Sequence, residues 1–160
     1  MRDLRRSQFD IFLTLFTTLF IVLFDRVTKI YFSDLLGYNE SLPVFKNLLH
    51  MTLVHNTGIA FGLFKDHGAV FIVVPVVAII LLIFNVYFYR QNGDVLNRSY
   101  IVAFSLILGG AIGNLYDRMA FGYVIDFIDF RIWPVFNIAD SAITIGAIII
   151  AFKCILQSAK

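Results

Sequence analysis

Cysteine is all but missing from this chain of 160 residues, where Cys154 stands alone. An intrachain disulfide is therefore excluded and a thiolate metal site has too few donors, so Cys154 reads as a small apolar residue of the last helix. Histidine is scarce as well. His50, His55 and His67 fall at irregular spacing in loop stretches and match no zinc signature of the His-Glu-x-x-His kind, so no metal ligand set and no cofactor is expected. Charge is thin: only 15% of residues are Asp, Glu, Lys or Arg, with a net charge of +2 and the basic residues scattered, which leaves no footprint for a nucleic-acid partner. There is no internal repeat and no low-complexity tract. No small-residue cleavage site follows the apolar run 11–24, so the basic start Met1-Arg-Asp-Leu-Arg-Arg6 and that run read as a retained membrane anchor, not a cleaved leader.

What fills the chain instead is hydrocarbon. Hydrophobic residues make up 59% and aromatics 16%, and the mean hydropathy is +0.83. These values exclude an ordinary soluble domain and imply a single polytopic membrane domain of the all-α class. Spanning the hydrocarbon core takes about 20 helical residues, and four stretches suffice: 9–32, 69–89, 99–116 and 137–156. Arg2, Arg5, Arg6, Arg90, Arg98, Lys153 and Lys160 flank one side, which predicts both termini in the cytoplasm. The loop 33–68 carries turn markers at Gly37, Asn39 and Pro43 and then a strand-like run, Leu48 to Val54; a second such run spans Tyr123 to Ile132. Both loops emerge on one side, predicting a small extracytoplasmic β element on a four-helix bundle.

The chemistry concentrates between Gly109 and Asp140. Asp117, Asp126, Asp129 and Asp140 lie there with Asn114, Arg118, Arg131 and Asn137, although an ionisable group at the bilayer centre costs roughly 2.5–3.5 kcal/mol. Gly109-Gly-Ala-Ile-Gly113 is a small-xxx-small packing device. Gly110, Asn114 and Arg118 recur every four residues along one helix face, and packing alone does not explain the two polar members. Asp25 and Lys29, four apart, suit an ion pair. Asn56-Thr-Gly58 reads either as a re-entry turn or as a backbone cradle for an extended peptide. Asp126 and Asp140 read either as partners of Arg118 and Arg131 or as a dyad sharing one proton, in which one carboxylate activates water while the other protonates a scissile carbonyl.

Five ordered motifs, Asp25-Arg-Val-Thr-Lys29, Asn56-Thr-Gly-Ile-Ala-Phe61, Gly109-Gly-Ala-Ile-Gly-Asn-Leu-Tyr-Asp-Arg118, Val124-Ile-Asp-Phe127 and Phe136-Asn-Ile-Ala-Asp-Ser141, together resemble the bacterial lipoprotein signal peptidase family, signal peptidase II. The resemblance implies a four-helix aspartic endopeptidase of the bacterial cytoplasmic membrane that cuts prolipoproteins before a cysteine carrying diacylglyceryl, with the site near the extracytoplasmic face and with lipidated precursors and membrane lipids as partners. It implies a catalytic pair at Asp126 and Asp140, and substrate-binding or supporting roles for Asn56, Gly58, Asn114, Arg118, Asn137, Asp25 and Lys29. Asp129, three residues past Asp126, is a departure that sets a second acid beside the expected one. A reading of another class also accommodates the acids: a proton-coupled transporter or channel subunit relaying protons through Asp25, Asp126 and Asp140. Transport predicts ionisable groups at several depths, whereas here they gather at one face.

Overall fold

The structure, a computed structural model, describes residues 2–58, 76–77, 79–80 and 98–158. Its described helices and strands are α1 (Arg2–Leu35), β1 (Ser41–Phe45), β2 (Leu49–Asn56), α2 (Arg98–Phe121), β3 (Val124–Asp129) and α3 (Ile138–Ser158). Among the described residues, three helical stretches are long and apolar enough to cross a membrane: Gln8–Leu35, Arg98–Phe121 and Ile138–Leu156. The span expected at 69–89 lies outside the described residues except for Val76, Val77, Ile79 and Ile80, which are helical.

The helices exceed their expected lengths for physical reasons. In α1 nothing from Gln8 to Leu35 breaks a helix, and the chain turns only at Gly37, whose N–H donates to the Glu40 carboxylate at 2.7 Å, and at Asn39, which takes a left-handed φ of 61°. In α2 the charged pair Asp117-Arg118 was expected to lie beyond the span; the helix instead carries it inward, with Asp117 fully buried. The outer surface of α1 is a ladder of phenylalanines at four-residue spacing. Phe12, Phe16, Phe20 and Phe24 stack at 5.8–6.4 Å between centroids and are about half exposed. A soluble protein would not leave such a stripe in water; a helix facing lipid tails loses nothing by it.

Glycine lets α2 pack between its two neighbours. A Cβ on Gly109 would meet Ile21 Cβ and the Thr18 carbonyl oxygen of α1 at 2.9 and 3.0 Å, while one on Gly110 would strike the Ala139 carbonyl of α3. Successive residues thus serve opposite partners, which requires backbones close enough that no methyl fits.

The strands form an antiparallel sheet in the order β1-β2-β3. Pro43, read from sequence as a turn marker, lies inside β1; an edge strand tolerates its missing N–H, and the register shifts between Pro43 and Phe45. Between β2 and β3 the register shifts again, so that Thr52 and Leu53 together oppose Phe127. Leu36, Leu53 and Ile125, with Phe32, Met51 and Tyr123 around them, seat the sheet on the end of α1, and Phe32 stacks on Phe127 at 4.6 Å.

The contact of Gly110 with the Ala139 carbonyl predicts that Gly110→Ala destabilises the protein by about 1–3 kcal/mol through overpacking. Thermal unfolding in detergent should show a clearly lowered midpoint, whereas Gly37→Ala, where the nearest atom is the flexible Glu40 carboxylate at 3.2 Å, should change it far less.

Candidate active site

Asp126 and Asp140 reach their positions by different local rules. Asp126 is carried by β3, and the pairing of Asn56 with Val124 and of Val54 with Asp126 sets Asn56 beside it. The Asn56 amide donates to Asp126 Oδ2 at 2.9 Å, and its own Oδ1 accepts the Gly58 N–H at 2.9 Å, closing an Asx turn. Asp140 sits in the first turn of α3, where Asn137 is the helix cap. The Asp140 N–H donates to Asn137 Oδ1 at 2.9 Å and the Asn137 N–H to Asp140 Oδ2 at 3.3 Å. This is a capping box with Asp in the usual Glu position, so the same short stretch that starts the helix also aims the carboxylate.

Asn137 joins the two acids. Its amide nitrogen donates to Asp126 Oδ1 at 2.7 Å, to the Ile125 carbonyl at 3.2 Å and to Asn114 Oδ1 at 3.0 Å. The Asn114 amide in turn donates to Asp140 Oδ1 at 2.7 Å. Lys29 fixes the sense of that network: its ammonium has no acceptor capacity and donates to Asn114 Oδ1 at 3.0 Å, so the Asn114 amide group must face Asp140.

Behind the pair lies a cluster of charges in which Asp25, Lys29 and Asp117 have almost no access to solvent and Arg26 stands at the partly exposed edge. Lys29 contacts Asp25 Oδ2 at 2.7 Å and Asp117 Oδ2 at 2.8 Å, and Arg26 approaches Asp117 Oδ1 at 3.4 Å. Asp25 Oδ1 accepts the Ala139 N–H at 2.9 Å, and Asp117 Oδ2 accepts the Ile125 N–H at 3.2 Å. Each of these two carboxylates therefore holds the residue immediately before Asp140 or Asp126. Gly113 leaves the room: a Cβ there would stand 2.8 Å from Asp25 Oδ2. Asp117 carries no assigned role in the sequence reading, although it lies three residues after Asn114 and so on the same helix face.

The pairing of Asp126 and Asp140 with Arg118 and Arg131 is not what the structure contains. Asp129, buried beside the sheet, takes Arg131: the Arg131 backbone N–H donates to Asp129 Oδ1 at 2.7 Å, its guanidinium lies 3.6 Å away, and the Thr52 hydroxyl donates to Asp129 Oδ2 at 2.7 Å. Burial disfavours ionisation of Asp129, but the Thr52 hydrogen bond and the Arg131 contacts outweigh it and hold the carboxyl below its usual range. Arg118 is half-buried and close enough to Asp140 and Asp126 to act on them through its charge. Asp126 is 1% exposed, and burial first, then the charge of Asp140, pushes its carboxyl up to about 7. An apolar cavity of about 370 Å³ opens on Asp140, walled by Phe130, Trp133, Phe136, Thr144 and Ile145. Among the described residues no group of three or more His, Cys, Asp or Glu side chains could hold a metal ion. Two adjacent carboxyls, one holding a proton near neutral pH, can activate water and protonate a carbonyl without one.

The family model described as "Signal peptidase (SPase) II" matches residues 17–156. The lipoprotein signal peptidase of Halothermothrix orenii is 43% identical over 129 residues, covering 81% of this chain and 86% of the relative. That of Moorella thermoacetica is 40% identical over 146 residues, covering 91% and 95%. That of Staphylococcus carnosus is 35% identical over 159 residues, covering 97% and 98%. A solved structure described as "Bacterial membrane enzyme structure by the in meso method at 2.3 A resolution" superposes with a TM-score of 0.82 at 34% identity, covering 91% of this chain and 88% of that one. With the match running through every described helix and relatives alike over most of their length, this chain belongs to the signal peptidase II family of membrane aspartic peptidases.

Proposed function

We propose that this protein removes signal peptides from prolipoproteins, cutting before a diacylglyceryl-modified cysteine, with Asp126 and Asp140 as the catalytic pair. The observation that carries this reading is the junction at Asn137: two carboxyls from different elements are tied to one residue, Asp126 through its side-chain amide and Asp140 through its backbone N–H, with an apolar cavity opening on Asp140. In this mechanism one carboxyl of the pair is ionised and takes a proton from water as the water attacks the scissile carbonyl. The other, protonated, donates to the carbonyl oxygen, giving a neutral tetrahedral diol, and proton return to the leaving amine completes cleavage. Asn56 and Gly58 hold the substrate backbone extended beside Asp126, Arg118 tunes the charge of the pair, and the cavity beneath Phe130 and Trp133 takes apolar parts of the substrate. Asp25, Lys29, Asn114 and Asn137 support the geometry. Family membership leaves the transporter or channel reading without support.

The same reading includes a single domain of four spans, the fourth contributed by 69–89, in a bacterial cytoplasmic membrane. Both termini are cytoplasmic and the sheet and the carboxyl pair lie near the extracytoplasmic face, where a lipid-anchored precursor meets the enzyme in two dimensions at high effective concentration. The basic flanks support that orientation. Topology reporters should be active on the cytoplasmic side at Met1 and Lys160 and on the outer side within 39–46 and near Phe130; a cytoplasmic signal from the 39–46 loop would reverse the placement of the site.

Cleavage of a lipidated precursor by the purified enzyme tests the pair. Asp126→Asn and Asp140→Asn should each lower the rate by about 10²–10⁴-fold, the range of a positioned acid or base, with the thermal midpoint retained. Asp129→Asn should keep most activity, and unlipidated precursor should be cut poorly by the wild type. Retained activity in Asp126→Asn with loss in Asp129→Asn would transfer the role to the other acid.

The raised value of about 7 for Asp126 sets a pH dependence. Activity needs one proton on the pair, so the rate should fall as pH rises through about 7 and the second carboxyl ionises. Stability has the same sign: between the ordinary carboxylate range and about 7 the folded protein keeps a proton that the unfolded chain has lost, so stability falls as pH rises across that window. A rate profile flat from pH 6 to 9, with substrate binding unchanged, would contradict the shared-proton mechanism.

A further inference from the structure

A second cavity, of about 400 Å³, lies on the other side of the sheet from the carboxyl pair, and nothing in the proposed cleavage uses it. Arg26, Ile30 and Ser33 of α1 form one wall, Tyr38 and His55 the sheet side, and Phe121 at the end of α2 closes it. Its depth is fixed by its owners: Ile30 to Ser33 and Phe121 stand at the same-side ends of two apolar spans, so the cavity opens at the level where hydrocarbon gives way to headgroups.

Arg26 is the cation at that level. Its guanidinium lies over the rings of Tyr116 and Phe121, 5.1 and 5.0 Å from their centroids. Among the described residues its ion pair is to Asp117, long at 3.4 Å, and that carboxylate is already committed to Lys29 and the Ile125 N–H. A guanidinium held by ring faces keeps its edge donors for a planar or tetrahedral oxyanion. Ser33 adds a second observation: its Oγ is buried and has no hydrogen-bond partner among the described residues. Asp34 also borders the cavity but is exposed, where solvent screens its charge. Below Arg26 the same helix face continues through Leu23 and Leu19, 55% and 58% exposed, a path for acyl chains.

We propose that this cavity is a binding site for the phosphodiester headgroup of a membrane phospholipid, with the phosphate on Arg26 and Ser33 and the acyl chains along the Leu19–Leu23 face of α1, separate from the site of cleavage. The occupant is a lipid and not a free phosphate because the cation stands at the interface, directly above an exposed apolar strip.

Native mass spectrometry of the full-length protein released from detergent tests this, with phosphatidylglycerol, a diacylglycerol of the same chains and soluble glycerophosphate each added in turn. The wild type should retain phosphatidylglycerol selectively, and Arg26→Gln should lower that retention roughly tenfold, as loss of a charge-assisted hydrogen-bonding group does. Ile30→Trp, which fills the cavity mouth and leaves Arg26 paired, should lower it as well and decides the matter if Arg26→Gln does not fold. Equal retention of diacylglycerol, binding of glycerophosphate as tight as that of the lipid, or undiminished retention in the folded variants would each overturn the proposal.

Discussion

Lys29 is the constraint on which the rest of the structure depends. It is completely buried within an apolar bundle, and an isolated ammonium there would cost more than the fold could recover. Asp25 and Asp117 neutralise it from two helices, with Arg26 balancing the second acid. Such a cluster contributes little net stability compared with apolar packing, yet removing one member leaves its partner charged and unpaired, a cost of about 3–5 kcal/mol. Its use lies in what the oxygens do next. Asp25 and Asp117 each spend a second hydrogen bond on a backbone N–H adjoining Asp140 or Asp126, and Lys29 fixes the Asn114 amide against Asp140. The ion cluster and the carboxyl pair are thus one hydrogen-bonded object, held by α1, α2, β3 and α3.

Close backbone packing is the second requirement, because the network spans three helices and tolerates little displacement. Gly109, Gly110 and Gly113 bring α2 against both partners, and Gly113 places Asp25 itself against the helix. In lipid there is no hydrophobic gain from pressing helices together, so such contacts and the buried polar network must supply the association. The large exposed apolar residues of α1 and α3 then face hydrocarbon.

The environments of the acids are set apart by the sheet. Asp126 is surrounded by amides that donate to it and by the charge of Asp140, with its own cation at a remove, and it keeps its proton to about neutral pH. Asp129, three residues on, has a hydroxyl, a backbone N–H and a guanidinium, and ionises readily. One strand presents an acid suited to proton transfer and an acid suited to anchoring the loop after it.

Several features follow from sequence alone because they depend on local spacing or on solvent. The apolar runs determine three described spans, since no other environment accepts them; the Asp25–Lys29 spacing suits an ion pair on one helix turn; and the five ordered motifs determine the family. Other features required the tertiary structure. Pro43 looks like a turn residue until β1 proves to be an edge strand, where its missing N–H goes unneeded. The helix α2 looks finished at Tyr116 until Lys29, 88 residues earlier than Asp117 in the chain, neutralises that carboxylate. The different surroundings of Asp126 and Asp129 rest on a bulge that sets Thr52 and Leu53 opposite Phe127, so that Asn56 meets one acid and Thr52 the other. Register and charge compensation across distant segments are properties of which surfaces meet, and no window of sequence contains both surfaces at once.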